Sequence, residues 1–182
     1  RTFLASMTAV SAAAALPASA LAQGIEKKKV TIAVGGKNLF YYLPLTISEQ
    51  LGYFKEEGLD VEIVDFAGGS AALRAVVGGS ADVVSGAYEH TINLQSKGQM
   101  FTAFALQGRA PQIVLAVSTK TMPDYKGLAD LKGKKIGVTA PGSSTNMMAN
   151  FVLAKGGLKP TDVSFIGVGA GKGAISAVQS GQ

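Results

Sequence analysis

The sequence predicts an α/β layered chain built as two similar units. Three observations predict it. Short β-branched runs stop at glycine, apolar residues at helical spacing follow each run, and this strand–loop–helix order occurs in both parts of the chain. Strands that alternate with helical stretches imply parallel pairing through crossover helices.

The first unit opens with Val30 to Val34, a buried strand ending at Gly35-Gly36. Lys37 to Tyr42 is a loop carrying Phe40, Tyr41 and Tyr42. Pro44 suits the first turn of a helix whose inward face is Ile47, Leu51 and Phe54, at i, i+4 and i+7. Gly58 closes that helix, and Val61, Ile63 and Phe66 continue as a second strand. Gly68-Gly69-Ser70 opens a helix with Leu73, Val76 and Val77 inward. Asp82 to Gly86 is a third strand, followed by a helix from Tyr88 to Lys97. Met100 to Leu106 and Gln112 to Ser118 are two further apolar extended runs.

Thr119 to Lys134 is polar and turn-rich and reads as the passage into a second unit. There Ile136-Gly137-Val138 is the strand, Ala140 to Thr145 the turn, and Thr145 to Lys155 a helix with Met148, Phe151 and Val152 inward; Met147 and Met148 are read as core residues. Gly157-Leu158 followed by Asp162-Val163-Ser164-Phe165 parallels Gly58-Leu59-Asp60-Val61-Glu62-Ile63. Ala72, Leu73, Ala75, Val76 and Gly79 align without gaps on Ala174, Ile175, Ala177, Val178 and Gly181. The expected organisation is a leader at 1–22, a first lobe at 23–118 and a second at 119–182, both lobes incomplete. The chain starts at Arg1 rather than Met and stops where a helix is expected to hand over to a strand, so it reads as a fragment lacking the C-terminal part.

Phe3 to Ala22 is apolar, Ala-rich and interrupted by Pro17, and it closes on the small-x-small pattern Ala20-Leu21-Ala22. This is the pattern of an export signal cleaved after Ala22, with a periplasmic mature protein expected; the alternative is an N-terminal membrane anchor left uncut. Arg1-Thr2-Phe3-Leu4 resembles the second half of a twin-arginine signal. The whole chain of 182 residues carries a net charge of +5. Removing 1–22 takes away one Arg and leaves 16 basic against 12 acidic residues. So small and evenly spread an excess argues for a soluble surface rather than nucleic-acid binding. No Cys and a single His leave no thiolate or multi-histidine metal centre, and no cofactor is expected.

Open parallel sheets bind ligands beyond the carboxyl ends of their strands, where loops lead into helix N-termini. Those loops point to Lys37, Asn38, Phe40, Tyr41, Gly69, Ser70, Tyr88 and Arg109 in the first unit, and to Gly142, Ser143, Ser144 and Thr145 in the second. Unpaired backbone amides and the helix dipole favour an anion there. Asn38 offers donors and acceptors, Tyr88 a stacking face and a hydroxyl, and Arg109 a bidentate clamp for a carboxylate, sulfonate or nitrate. The bland alternatives are that Ser70 and Ser143 to Thr145 are helix caps, and that Lys37, Asn38 and Arg109 are solvated loop residues. His90, beside Glu89, reads as an ordinary helix residue. No Gly-x-Ser-x-Gly elbow, Gly-x-Gly-x-x-Gly spacing or phosphate-loop Gly-Lys-Ser/Thr ending occurs.

Gly52-Tyr53-Phe54-Lys55-Glu56-Glu57-Gly58-Leu59-Asp60-Val61-Glu62 resembles a signature of the periplasmic substrate-binding proteins of the nitrate/sulfonate/taurine type. Gly79-Ser80-Ala81-Asp82-Val83 and Asp130-Leu131-Lys132-Gly133-Lys134-Lys135-Ile136-Gly137-Val138 resemble two further stretches of the same family. The resemblance implies a two-lobed, Venus-flytrap receptor with three-layer α/β/α lobes. Such a receptor captures a small anionic solute of the sulfonate, taurine, nitrate or carboxylate class and delivers it, as a monomer, to an inner-membrane ABC permease and its ATPase. It does no chemistry on the solute. The resemblance extends to thiamine-pyrimidine synthases, so the alternatives are a binding protein for a pyrimidine precursor or other heteroaromatic solute, suggested also by Phe40-Tyr41-Tyr42, and an enzyme on the same fold. A sensor domain is a third class.

Overall fold

The structure, a computed structural model, describes residues 24–182; the expected leader lies outside the described residues. Two parallel sheets organise the chain. The first contains β1 (Lys29–Val34), β2 (Asp60–Asp65) and β3 (Val83–Ser85) in the order β2-β1-β3, and the second pairs β4 (Lys135–Val138) with β5 (Ser164–Gly167). Helices α1 (Leu43–Gln50) and α2 (Tyr53–Glu56) connect β1 to β2. Helix α3 (Gly69–Val77) connects β2 to β3, and α4 (Glu89–Gln95) follows β3. In the second unit α5 (Ser144–Lys155) joins β4 to β5, and α6 (Lys172–Ser180) follows.

Alternation along β1 builds a layer on each face. Ile32 and Val34 pack with Tyr42, Leu45, Val61 and Ile63 on the α1 side. Ala33 points the other way, into Ala72, Ala75 and Ala81 beneath α3. Ile32 pairs with both Ile63 and Val83, and Ala33 with both Val64 and Val84, so the register keeps each face apolar there. In the second unit Ile136 and Val138 face Leu131, Ala149 and Leu153, which seats α5 on that side of β4. Fully burying a side chain such as Leu153 contributes about 1.5–3 kcal/mol.

The inward faces of three helices differ from those the periodicity predicts. Gly52, at φ 80°, breaks the first helix into α1 and α2, so Ile47 and Leu51 remain exposed and Leu45 supplies the buried contact. On α3 the buried residues are Gly69, Ala72 and Ala75, whereas Val77 is exposed. On α5 they are Ala149 and Leu153; Met147 and Phe151 face solvent, with Lys155 Nζ 5.4 Å from the Phe151 ring centroid. The apolar runs at 100–106 and 112–118 join neither sheet among the described residues. The first is exposed along its length, while Leu115 and Val117 pack against the second core.

Two aspartates explain two of the three stretches that carry the family resemblance. Asp82 accepts the Thr31 amide at 2.9 Å and the Lys27 ammonium, pinning the start of β3 to β1. These two partners hold its carboxyl below the usual carboxylate value, Lys27 having the larger effect. Asp130 accepts the amides of Lys126 (2.7 Å) and Gly127 (3.1 Å), closing the turn that delivers β4.

Candidate functional site

The loops leaving the carboxyl ends of both sheets meet. Ser70 Oγ donates to Pro141 O at 3.1 Å, linking the start of α3 to the turn before α5. A Cβ on Gly68 would stand 3.0 Å from Ala140 Cβ and 3.1 Å from Thr139 Oγ1. One on Gly36 would press on Ala170, and one on Gly171 on the Asn38 amide. Within the first unit, Gly35 lies so close to the Gly68–Gly69 backbone that no side chain fits there. Glycine at these places is a condition of loop-to-loop contact.

The first loop is tied down rather than free. Asp65 Oδ1, at the end of β2, accepts the amides of Gly36 (2.7 Å) and Lys37 (2.9 Å). Lys37 Nζ pairs with Glu49 at 2.7 Å, so its charge is spent on α1. Tyr42 is buried and its hydroxyl accepts the Gly35 amide at 3.4 Å. Burial pushes its phenol up to about 12 against the opposing effect of that bond. Tyr41 stands edge-on to it, ring centroids 5.0 Å apart, with its phenol raised by burial and by the Glu89 charge. Phe40 and Tyr88 are exposed, at 87% and 66%, and present open aromatic faces. Asn38 is exposed beside Gly171.

Neither predicted helix cap is made by a side chain. The residue at the N-cap of α3 is Gly68, and Ser70 sits inside the first turn with its hydroxyl turned to Pro141. Ser143 is the N-cap residue of α5, but its hydroxyl does not cap. It is buried in a triangle with Thr139 Oγ1 (3.0 Å) and Thr145 Oγ1 (2.7 Å), which also accepts the Thr139 amide at 3.0 Å. Gly142, at φ 77°, donates its amide to Asn146 Oδ1 at 3.0 Å. The amides of Ser144, Thr145 and Asn146 therefore have no acceptor among the described residues, which is the anion-receptive state of a helix start. Gly69 is buried at the start of α3. Arg109 is exposed, in the irregular run that follows α4.

Four side-chain atoms are unpaired in a way the sequence reading did not anticipate. Glu89 Oε1, His90 Nε2, Asn146 Nδ2 and Asn150 Oδ1 are buried and have no hydrogen-bond partner among the described residues. His90 is only 4% exposed, and its Nε2 would stand 3.2 Å from a Cβ on Gly69. Burial depresses its pKa, opposed by the neighbouring Glu89 charge. The one available signal was position: both residues open the helix that follows β3. Two apolar grooves, of about 190 and 400 Å³, flank β4 beneath Leu115 rather than opening at the meeting loops. Among the described residues no cluster of three or more His, Asp or Glu could hold a metal, and no helix is long and apolar enough to cross a membrane.

The family model described as NMT1/THI5 like matches residues 38–182. The chain belongs to that family. It is 31% identical over 170 residues to a protein of Brucella abortus (strain 2308) described as a binding protein, covering 91% of this chain and 48% of that one. It is 26% identical over 142 residues to the 4-amino-5-hydroxymethyl-2-methylpyrimidine phosphate synthase of Schizosaccharomyces pombe, covering 78% of this chain and 40% of that one. A solved structure from Bordetella bronchiseptica RB50 superposes with a TM-score of 0.86 at 73% identity, over 88% of this chain and 50% of that one. The alkanesulfonate-binding protein of Xanthomonas axonopodis pv. citri, solved with MOPS, has a TM-score of 0.67 at 24% identity, over 87% of this chain and 53% of that one. The fold is that of the two-lobed periplasmic binding proteins, and the chain spans about half the length of these relatives.

Proposed function

We propose that this chain belongs to an exported solute-binding protein that captures a small anionic organic solute between two lobes and passes it to an ABC importer. The observation that carries the reading is the Ser70–Pro141 bridge, which brings the start of α3 opposite the unpaired amides that open α5. Helix starts aimed at one place hold a sulfonate, carboxylate or nitrate without a dedicated cation. The ligand contacts in this reading are Asn38, Phe40, Tyr41, Gly69, Ser70 and Tyr88 from one lobe and the Gly142 to Thr145 turn from the other. Arg109 contributes charge at the rim, whereas Lys37, its ammonium paired with Glu49, contributes through the position of its loop.

The lobes divide at 23–118 and 119–182, and residues 1–22 direct export to the periplasm, where the mature protein acts as a monomer without cofactor or catalysis. The alkanesulfonate-binding neighbour supports the solute class by its fold alone, and the Brucella relative supports binding as the activity. A second reading, recognition or conversion of a pyrimidine-type heteroaromatic, draws on the synthase relative and on the exposed rings of Phe40 and Tyr88.

A thermal-shift screen of the full-length mature protein against alkanesulfonates, taurine, nitrate, aromatic carboxylates and pyrimidines separates the two. A true solute at 100 times its Kd adds about 2.7 kcal/mol of stability. A shift with sulfonates or carboxylates and no product supports capture for import. Turnover of a pyrimidine or its precursor, with no shift by any solute, overturns it.

A further inference from the structure

We propose that the end of the second lobe remote from the meeting loops is a docking surface for an anionic phospholipid bilayer, formed by six lysines. This surface is separate from the solute and from the loops that hold it.

Charge that is even along the sequence is uneven between the lobes. Residues 24–118 carry eight basic and nine acidic side chains, whereas 119–182 carry eight Lys, three Asp and neither Arg nor Glu. Six of those lysines stand around the amino ends of β4 and β5, and all six are exposed: Lys126, Lys132, Lys134, Lys135, Lys155 and Lys159. Backbone contacts gather them. The Gly133 amide donates to Asp162 O at 2.7 Å and the Ser164 amide to Lys134 O at 2.9 Å, joining the loops that enter the two strands. Helix α5 ends at Lys155, and Leu128, two residues after Lys126, packs on Gly156 just beyond it.

The nearby carboxylates are engaged with backbone. Asp130 Oδ2 accepts the Lys126 and Gly127 amides, and Asp162 Oδ2 accepts the Lys159 amide at 2.7 Å. Both ion pairs found among the described residues lie in the first lobe, so none of the six ammonium groups is paired there. Even with the exposed Asp124 counted, six positive charges stand with three negative ones.

The make-up of the patch decides the partner. Protein interfaces centre on aromatic or Arg anchors and are depleted in Lys. Surfaces for single-stranded nucleic acid set stacking rings along a basic groove. Here every cation is Lys, a point charge on a flexible stem, which suits a fluid layer of phosphate headgroups better than a fitted pair. Phe151, 56% exposed with Lys155 Nζ 5.4 Å from its ring centroid, adds one ring able to enter that layer. The Ser70–Pro141 bridge lies beyond the opposite, carboxyl ends of the strands, so a bilayer at the lysine end leaves the meeting loops clear. Such attraction fades within a Debye length, so the attachment is reversible and sensitive to salt.

The test sediments full-length mature protein with vesicles of phosphatidylcholine alone, and with vesicles in which one lipid in three is phosphatidylglycerol. At about 20 mM salt the protein is expected to partition at least tenfold more strongly into the anionic vesicles, and to lose that preference by about 300 mM. Changing Lys132→Gln, Lys134→Gln and Lys135→Gln together is expected to reduce the partition at least tenfold at an unchanged melting temperature. Changing Lys28→Gln, Lys55→Gln and Lys97→Gln together removes the same charge from the first lobe and is expected to keep it within twofold. Equal partition of the wild type into both vesicle types overturns the proposal. Equal loss in the two triple variants also overturns it, because net charge rather than this surface then sets the binding. Retention on polyglutamate beads without partition into anionic vesicles overturns it too, in favour of an acidic protein partner. The vesicle preference is read first in the wild type, so misfolding of a variant cannot mask it, and none of these outcomes touches the capture reading.

Discussion

The Ser70 hydroxyl donates to the Pro141 carbonyl at 3.1 Å across 71 positions of sequence. Each residue sits where a loop from one parallel sheet approaches the other, so the bridge is a direct contact between the two halves of the site. It also changes the meaning of Ser70, whose hydroxyl joins loops rather than capping α3.

Asp65 governs the shape of the aromatic loop. Its carboxylate receives two amides, from Gly36 and Lys37, and so fixes that turn to the end of β2. Asp65→Ala leaves both amides without their acceptor, and hydrogen bonds to a charged group contribute about 1.5–3 kcal/mol. The expected outcome is a loss of about 2 kcal/mol in urea unfolding, with a solute affinity reduced further as Phe40 and Tyr41 lose their placement. Asp65→Asn retains one acceptor oxygen and should recover most of the stability.

His90 makes stability depend on pH in a defined direction. Burial lowers its folded-state pKa below the unfolded value of 6.5. As pH falls past 6.5 the unfolded chain takes up the proton first, so stability drops on acidification until the folded pKa is passed. The contribution is fully present above 6.5 and diminishes below it. His90→Gln removes this slope, which melting temperatures measured between pH 7.5 and 5 will show directly. The carboxylates with depressed pKa, Asp82 and Asp130, lose their stabilising bonds only below the unfolded carboxylate value near 3.8, outside that window.

The sheets were legible because β-branched runs such as Val30 to Val34 and Val61 to Val64 stop at turn residues and pair in register. Helix faces were less legible because periodicity favours large apolar residues. Where α3 lies close to Ala33, only Ala72 and Ala75 fit, and Val77 is pushed outward. The runs at 100–106 and 112–118 have strand composition, yet a strand also needs a partner edge, which composition does not supply. At the site the turn before α5 was legible as a helix start, but the hydrogen-bond geometry was not. Thr139, outside the Ser-Ser-Thr motif, captures the hydroxyls that the motif seemed to offer. Glu89 and His90 were visible as neighbours but read as ordinary helix residues, because only their unpartnered burial distinguishes them.

That hydroxyl triangle separates stability from binding. Ser143 is 2% exposed and bonds both Thr139 and Thr145, so Ser143→Ala orphans buried oxygens and should cost about 1–3 kcal/mol. Ser144 has an unpaired amide among the described residues, and on the proposed reading this amide rather than the hydroxyl meets the anion, so Ser144→Ala should leave stability and affinity nearly unchanged. Calorimetric titration and thermal melts of both variants test this. A large affinity loss in Ser144→Ala at unchanged melting temperature would mean that the hydroxyl, not the backbone, holds the solute.

Gly68 offers the sharpest separation of closure from folding. Its backbone is fully extended at φ −177°, so alanine meets no strain of its own there. The obstacle is across the site, because the new Cβ would come 3.0 Å from Ala140 Cβ and 3.2 Å from the Ala140 amide nitrogen, both closer than a relaxed contact. Backbone on the far side cannot rotate away as a side chain would, so the loops must part by several tenths of an ångström. Gly68→Ala is therefore expected to leave the unliganded melting temperature within about 2 °C, since the change amounts to well under 1 kcal/mol. Solute affinity should fall tenfold or more, because a wedge at this point spoils the geometry that brings the start of α3 towards the Ser144 to Asn146 amides. Titration calorimetry on the variant measures the loss, and small-angle scattering with and without solute measures the parting. An affinity equal to that of the wild type would mean that the loops do not need to meet at Gly68 when the solute is held.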